Sequence, residues 1–177
     1  MSNETIRDAS KAFIGRLKAI VTSKEPDRAL LANLRRGLTG DFAGTLMRCG
    51  YVFKDLNEGG EKALENGVLV AGLLAKAWQS CPWIERVGLG QALGRLHAQQ
   101  NESGGSERAL LMLLDTDSVD LPAKLRQIIT RLMAKNQGLD WGRLFDDLQL
   151  WSHPERIVQK RWAMQFWDQA GREDSAD

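Results

Sequence analysis

Two cysteines, Cys49 and Cys81, in 177 residues are too few for a disulfide scaffold. Two histidines, His97 and His153, with no Cys-x-x-Cys pair and no His-Glu-x-x-His string, argue against a zinc site, and no cofactor is expected. The longest apolar run, Val68 to Ala75, is interrupted by Gly72 and stopped by Lys76, well short of the ~20 residues that a bilayer requires. No membrane span is expected. The segment from Met1 to Ala12 is polar and lacks the apolar core of a signal peptide, so the expected location is cytoplasmic. Neither sign of charge dominates: 24 Lys and Arg against 23 Asp and Glu leave +1, which excludes a histone-like tail or an acidic solvating chain as a description of the whole. Any charged function must be local.

What is present is a core. Forty-three per cent of the residues are hydrophobic, enough for one domain or one body with two lobes. Apolar residues recur at helical spacing nearly throughout, which predicts an all-α chain, a two-lobed bundle of about eight to nine helices. Ile6, Phe13, Leu17, Ile20 and Val21 form the stripe of a first helix. Pro26 suits the first turn of a second, which runs through Leu30, Leu31 and Leu34 to Gly37. Two more span Phe42 to Phe53 and Glu61 to Trp78, the latter apolar nearly all round and expected at the centre of its lobe. A short helix over Gly88 to His97 precedes Asn101-Glu-Ser-Gly-Gly-Ser106, the one stretch of linker composition. The lobes are therefore expected at 1–100 and 107–170, with the linker at 101–106 and a disordered acidic tail at 171–177. In the second lobe Ser106 is expected to cap Glu107 to Leu114, Asp120 to precede Lys124 to Lys135, Asp140 to cap a helix through Leu150, and Pro154 to start the last helix.

Several strings invite a catalytic reading that their geometry does not favour. Gly88-Leu-Gly90-Gln-Ala-Leu-Gly94 has the wrong spacing for a dinucleotide fingerprint or a phosphate loop and follows no strand; its glycines are expected to let two helices approach closely. Asp146 and Asp147 are adjacent on a helix, so their side chains diverge by about 100° and read as a solvated face, not an acid–base pair. His153 stands before Pro154 at a helix start and His97 reads as a packed or capping side chain, while both cysteines read as small buried hydrophobes.

Charge, by contrast, is unevenly spread. Between Leu121 and Gln165 eight basic residues meet four acidic ones, a local excess of four. Lys124, Arg131 and Lys135 fall within a stripe about 40° wide beside the apolar stripe of Leu125, Ile128, Ile129, Leu132 and Met133. Arg7, Lys11 and Lys18 form a similar stripe on the first helix, and Arg35-Arg36 end the second, where cations also offset the helix dipole. Aligned cations without a catalytic set favour a surface for phosphate backbone. Six tryptophans are present; Trp162 shares a face with Val158 and Phe166, Ile157 and Met164 take a second face, and Arg156, Lys160 and Trp167 a third. A helix with two apolar faces is central or packs outward on a partner.

Six strings in this order and spacing carry a resemblance: Leu34-Arg-Arg-Gly37, Gly88 to His97, Ser106-Glu-Arg108, Leu121-Pro-Ala-Lys-Leu-Arg-Gln127, Leu139-Asp-Trp141, and Glu155-Arg156 through Arg161-Trp-Ala163 to Phe166-Trp167. From about Leu30 to Trp167 the chain resembles the small subunit (CasB family) of the type I-E CRISPR Cascade surveillance complex. The resemblance implies an all-helical, two-lobed, non-enzymatic protein of antiviral defence. Its implied partners are the backbone and large Cascade subunits, the CRISPR guide RNA, target DNA and further copies of itself. Non-specific phosphate contacts would steady the R-loop and the displaced strand, a nearly balanced exchange that a few contacts can tip. The basic positions within the matching strings are Arg35, Arg36, Arg95, Arg108, Lys124, Arg126, Arg156, Lys160 and Arg161; Arg131 and Lys135 are added from the stripe alone. Glu102 and the acidic tail depart from a nucleic-acid groove, and Trp141 and Trp151 are assigned to packing, not to base stacking. Two other readings stay open: a structural adaptor that never touches phosphate, and a free-standing helical DNA-binding regulator.

Overall fold

The computed structural model describes residues 3–99 and 105–171, with side chains from residue 7 onward in the first stretch. The described residues form nine α-helices and two short 3₁₀ turns, with no strand beyond one isolated bridge between Trp83 and Leu139. The all-α expectation holds. The side chain of Ile6, the tail from 172 to 177 and residues 101–104 of the expected linker, Glu102 among them, lie outside the described set.

The chain divides into two compact units, residues 1–78 and 79–177. This corrects the boundary read at 101–106. That stretch has linker composition, but the helix before it packs on the last helix of the chain and so belongs with the second unit.

In the first unit α1 (Asn3–Thr22), α2 (Arg28–Arg36), α3 (Phe42–Phe53) and α4 (Glu61–Ala77) pack around Phe13, Leu17, Leu34, Phe53 and Leu73, all essentially inaccessible to solvent. As its all-round apolar sequence predicts, α4 is central, touching α2, α3 and both 3₁₀ turns. The start of α2 is decided by Asp27 and not by Pro26, because the Asp27 carboxylate accepts the N–H groups of Ala29 and Leu30 at 2.9 and 3.0 Å. Gly15 sits in the middle of α1, and a Cβ added there would meet nothing within 4 Å. Gly15→Ala is therefore expected to raise stability by about 0.5–1 kcal/mol, read as a higher thermal midpoint, since alanine restricts the unfolded chain at no steric cost.

The second unit contains α5 (Leu89–Gln99), α6 (Gly105–Leu114), α7 (Leu121–Ala134), α8 (Trp141–Gln149) and α9 (Ile157–Ala170). Its main seam is α5 against α9, with α6 and α7 stacked on α5. The glycine string is the reason for that seam: Gly90 and Gly94 lie against the α9 backbone at Trp162 and Phe166. Ser106 does not cap α6 but lies buried inside it, and α9 begins at Ile157, after Pro154. Between α8 and α9 the chain turns through His153, whose carbonyl accepts the Arg156 N–H at 2.9 Å and whose Nδ1 accepts the Glu155 N–H at 3.3 Å, and Arg156 takes the left-handed conformation with φ 52°.

Candidate nucleic-acid interface

Helix α6 presents Gly105, Arg108, Ala109 and Met112 at i, i+3, i+4 and i+7, one face of the helix, and α7 presents Lys124, Gln127, Ile128 and Arg131 in the same pattern. The short turn through Asp117 and Asp120 brings the helices side by side, and the two faces border a groove of about 320 Å³. The helices run antiparallel, so Arg131 lies by the start of α6: a Cβ on Gly105 would sit 3.6 Å from its Nη1. Three cations thus converge on one groove, and among the described residues no carboxylate lines it. Arg108, Lys124 and Arg131 form no ion pair with a described residue.

The other candidate cations are disposed differently. Lys135 is exposed just past the end of α7, one turn beyond Arg131. Arg126 is carried about 200° round α7 from Lys124, away from the groove, and its Nε donates to the Pro122 carbonyl at 3.4 Å. Arg95 donates to Gln169 Oε1 at 3.5 Å on the α5–α9 seam. Arg156 is exposed but donates to the Leu114 carbonyl at the end of α6, and Lys160 is exposed on α9. In the first unit Arg35 and Arg36 are exposed at the C-terminal turn of α2, with Arg35 Nε on the Leu31 carbonyl at 3.3 Å.

Arg161 is structural. Its guanidinium pairs with Asp147, whose second oxygen accepts the Trp162 indole N–H at 2.6 Å. This corrects the reading of Asp147 as a solvated carboxylate: its side chain is 4% exposed. Burial pushes its carboxyl above the usual 3.8, while the Trp162 hydrogen bond and the Arg161 and Arg143 charges pull partly back. Asp146, its neighbour, is exposed as expected.

The tryptophans assigned to packing are packed. Trp141 is buried with its indole N–H on the Cys81 carbonyl at 3.3 Å, and Trp151 is buried against Trp162 with ring centroids 5.2 Å apart. On the outer side of α9, Met164 and Trp167 are exposed, 73% and 53% respectively. Both cysteines are buried, and burial raises both thiols, that of Cys81 to about 12, so neither is a nucleophile at neutral pH. Among the described residues no group of three or more His, Cys, Asp or Glu is placed to hold a metal, and no helix is long and apolar enough to cross a membrane.

Sequence reasoning missed Gln127 and Gly105 as parts of the groove. Both share a helical face with a basic residue, but nothing in the order of residues says that the two faces meet.

Residues 30–167 match the family model of CRISPR-associated protein Cse2. Over 87 residues the chain is 34% identical to the CRISPR-associated protein Cse2 of Thermus thermophilus, an alignment covering 49% of this chain; it spans about half, 50%, of that curated relative. The fold is similar to the crystal structure of a Cse2-family protein from Thermus thermophilus, with 29% identity and a TM-score of 0.74 over 90% of this chain and 97% of the other. It is likewise similar to CasB from M. ruber, with 26% identity and a TM-score of 0.74 over 96% and 98% of the two chains. A chain of a CRISPR RNA-guided surveillance complex shares the fold at 19% identity, with a TM-score of 0.75 over 97% and 99%.

Proposed function

The chain belongs to the CRISPR-associated Cse2 (CasB) family, and from that premise we propose that it is a non-catalytic subunit of a type I-E Cascade complex in antiviral defence, gripping nucleic-acid backbone without regard to sequence. The observation that carries the reading is the convergence of Arg108, Lys124 and Arg131 on one groove, unpaired with any described carboxylate. Cations so arranged suit phosphates, which repeat identically along any sequence. Lys135, Arg156, Lys160, Arg35 and Arg36 supply further exposed positive charge. Arg161 is left out of the contact set because Asp147 already engages it. The bound species in this reading are the CRISPR guide RNA and target DNA within the R-loop, whose near balance lets a few backbone contacts matter. Exposed Met164 and Trp167 suit contact with neighbouring backbone or large subunits, or with a second copy of this chain, because methionine and tryptophan are enriched where proteins meet.

Affinity purification of the tagged chain from cells expressing its neighbouring genes, followed by sequencing of bound RNA, tests the assignment. Recovery of larger partner subunits together with short repeat–spacer RNAs is the expected result. A lone chain that instead selects one duplex sequence would overturn it in favour of a free-standing regulator.

A further inference from the structure

We infer that the second unit carries a socket for the guanidinium of an arginine inserted by a neighbouring protein chain, where the ends of α6 and α8 meet the start of α9; this rests on the reading of the chain as a subunit of a larger assembly. The socket is a cavity of about 320 Å³ whose lining includes Thr116, Asp117, Trp151, His153, Arg156 and Gln159. That volume stands at the lower end of the range for small-molecule sites, so it suits one side chain better than a cofactor. Gln159 is 6% exposed, and its Nε2 donates to the Trp151 carbonyl at 2.8 Å. This contact fixes which way round the amide lies, and Oε1, at the opposite corner, is buried without a partner among the described residues. A buried acceptor in that state calls for a donor. Asp117 offers a second acceptor: its Oδ1 takes the N–H groups of Val119 and Asp120 at 2.9 and 3.0 Å, while its Oδ2 has no partner among the described residues.

The surrounding charge selects a cation. Thr116 and Asp117 follow the end of α6 and Trp151 follows the end of α8, so two helix C-termini, each with partial negative charge, border the cavity against the single N-terminus of α9. The turn from Asp115 to Asp120 holds three carboxylates and no basic residue. His153 accepts the Glu155 N–H at its Nδ1, 3.3 Å away, so in this arrangement its ring is neutral. Arg156, the basic side chain of the lining, is turned to the Leu114 carbonyl. A guanidinium carries its donors in a planar fork and has no acceptor, so one group can serve Gln159 Oε1 and Asp117 Oδ2 together, as the point charge of an ammonium does less well. Arginine is also the cation enriched where proteins meet. The sign is opposite to that of the α6–α7 groove, and this is no second place for phosphate.

Proton–nitrogen correlation NMR of the full chain, titrated with N-acetyl-arginine amide and with its neutral isostere N-acetyl-citrulline amide, tests the socket. Saturable shifts of the Gln159 side-chain amide and the Trp151 indole are expected, with a Kd on the order of 1 mM. The citrulline compound should bind at least about threefold more weakly, since charge-assisted hydrogen bonds are the stronger ones. Asp117→Asn keeps an oxygen for the Val119 and Asp120 N–H groups and should weaken the arginine compound about two- to fivefold. Gln159→Met keeps the length, removes the acceptor and should weaken it about tenfold. If Gln159→Met does not fold, Asp117→Asn still decides, because Asp117 is exposed. Absent shifts, or equal binding of the citrulline compound, overturn the socket and leave the Cascade assignment, which the purification tests separately, intact. In the purified assembly a photo-crosslinker replacing exposed Ser118 is expected to join a peptide of another protein subunit, and exchange of the arginines in that peptide for Gln should abolish the joint. A crosslink to RNA alone, none at all, or one indifferent to arginine overturns the neighbouring protein as the source. Arginine binding by a chain that purifies alone overturns the subunit reading, and the neighbour with it, but not the socket.

Discussion

Replacing Gly90 by alanine is expected to destabilise the second unit by about 2–3 kcal/mol net, a fall in thermal midpoint on the order of 10 °C for a unit of this size. A Cβ at Gly90 would stand 2.7 and 2.8 Å from the Cα and carbonyl carbon of Trp162, with the carbonyl oxygen nearer still. These are backbone atoms of α9, so no side chain can swing aside; the two helices must separate. Alanine gains up to about 1 kcal/mol from helix propensity, which the clash outweighs. Gly94 repeats the contact one turn on, where a Cβ would lie 2.5 Å from the Phe166 carbonyl oxygen and 3.1 Å from its Cα. The opposite sign is expected for Gly15→Ala, so the pair of variants separates close packing from propensity. A Gly90→Ala protein melting with the parent by circular dichroism would refute the close approach of α5 and α9.

Removing the Asp147 carboxylate with Asp147→Ala should cost about 2–4 kcal/mol at neutral pH. The Trp162 indole N–H would be left buried without its 2.6 Å acceptor, and an unmade buried hydrogen bond costs about 1–3 kcal/mol. Arg161 would lose its ion pair, but its side chain is 37% exposed and can turn toward water, which limits the loss. Asp147→Asn keeps an acceptor for Trp162 and isolates the charge. Burial raises the Asp147 carboxyl above 3.8 in the folded protein, so the folded state holds this proton more tightly than the unfolded chain does. Its contribution is fully present below the unfolded value and is lost as pH rises through the folded one, the reverse of an exposed, ion-paired carboxylate. The stability advantage of the parent over Asp147→Asn should therefore be larger near pH 3 than near pH 7. Urea unfolding of both proteins at the two pH values measures it, and a difference that grows with pH would contradict the burial argument.

Helix content was legible because it depends on spacing along the chain. The periodic apolar positions of α3 and α4 predict their limits to within a residue, and Asp140 caps α8 as its side chain suggests, accepting the Arg143 N–H at 3.1 Å. Prolines were less reliable guides. Pro26 and Pro154 lie in the approaches to helices whose first turns depend on Asp27 and on the left-handed Arg156.

The candidate site was legible only in its ingredients. Lys124 and Arg131 share a stripe that one-dimensional periodicity reveals, whereas Arg108 joins them only because α6 and α7 pack antiparallel. Lys160 and Arg161 are neighbours in sequence with opposite fates: one is exposed, the other is drawn to a carboxylate 14 residues away. Linker composition after Gln99 suggested a boundary there, but the boundary between compact units follows contacts made by α5 with α9, which are distant in sequence.

By itself, then, the sequence determined the all-helical class, the buried role of Trp141, Trp151 and Trp162, the glycine seam and the excess of cations in the last third of the chain. These follow from residue type and local period. The tertiary structure alone decided where the units divide, which arginines pair with a described carboxylate, and that three cations line one trough that no described carboxylate enters. Those properties depend on which helix faces meet, and pairing and burial of charge are set by neighbours in space, not by neighbours along the chain.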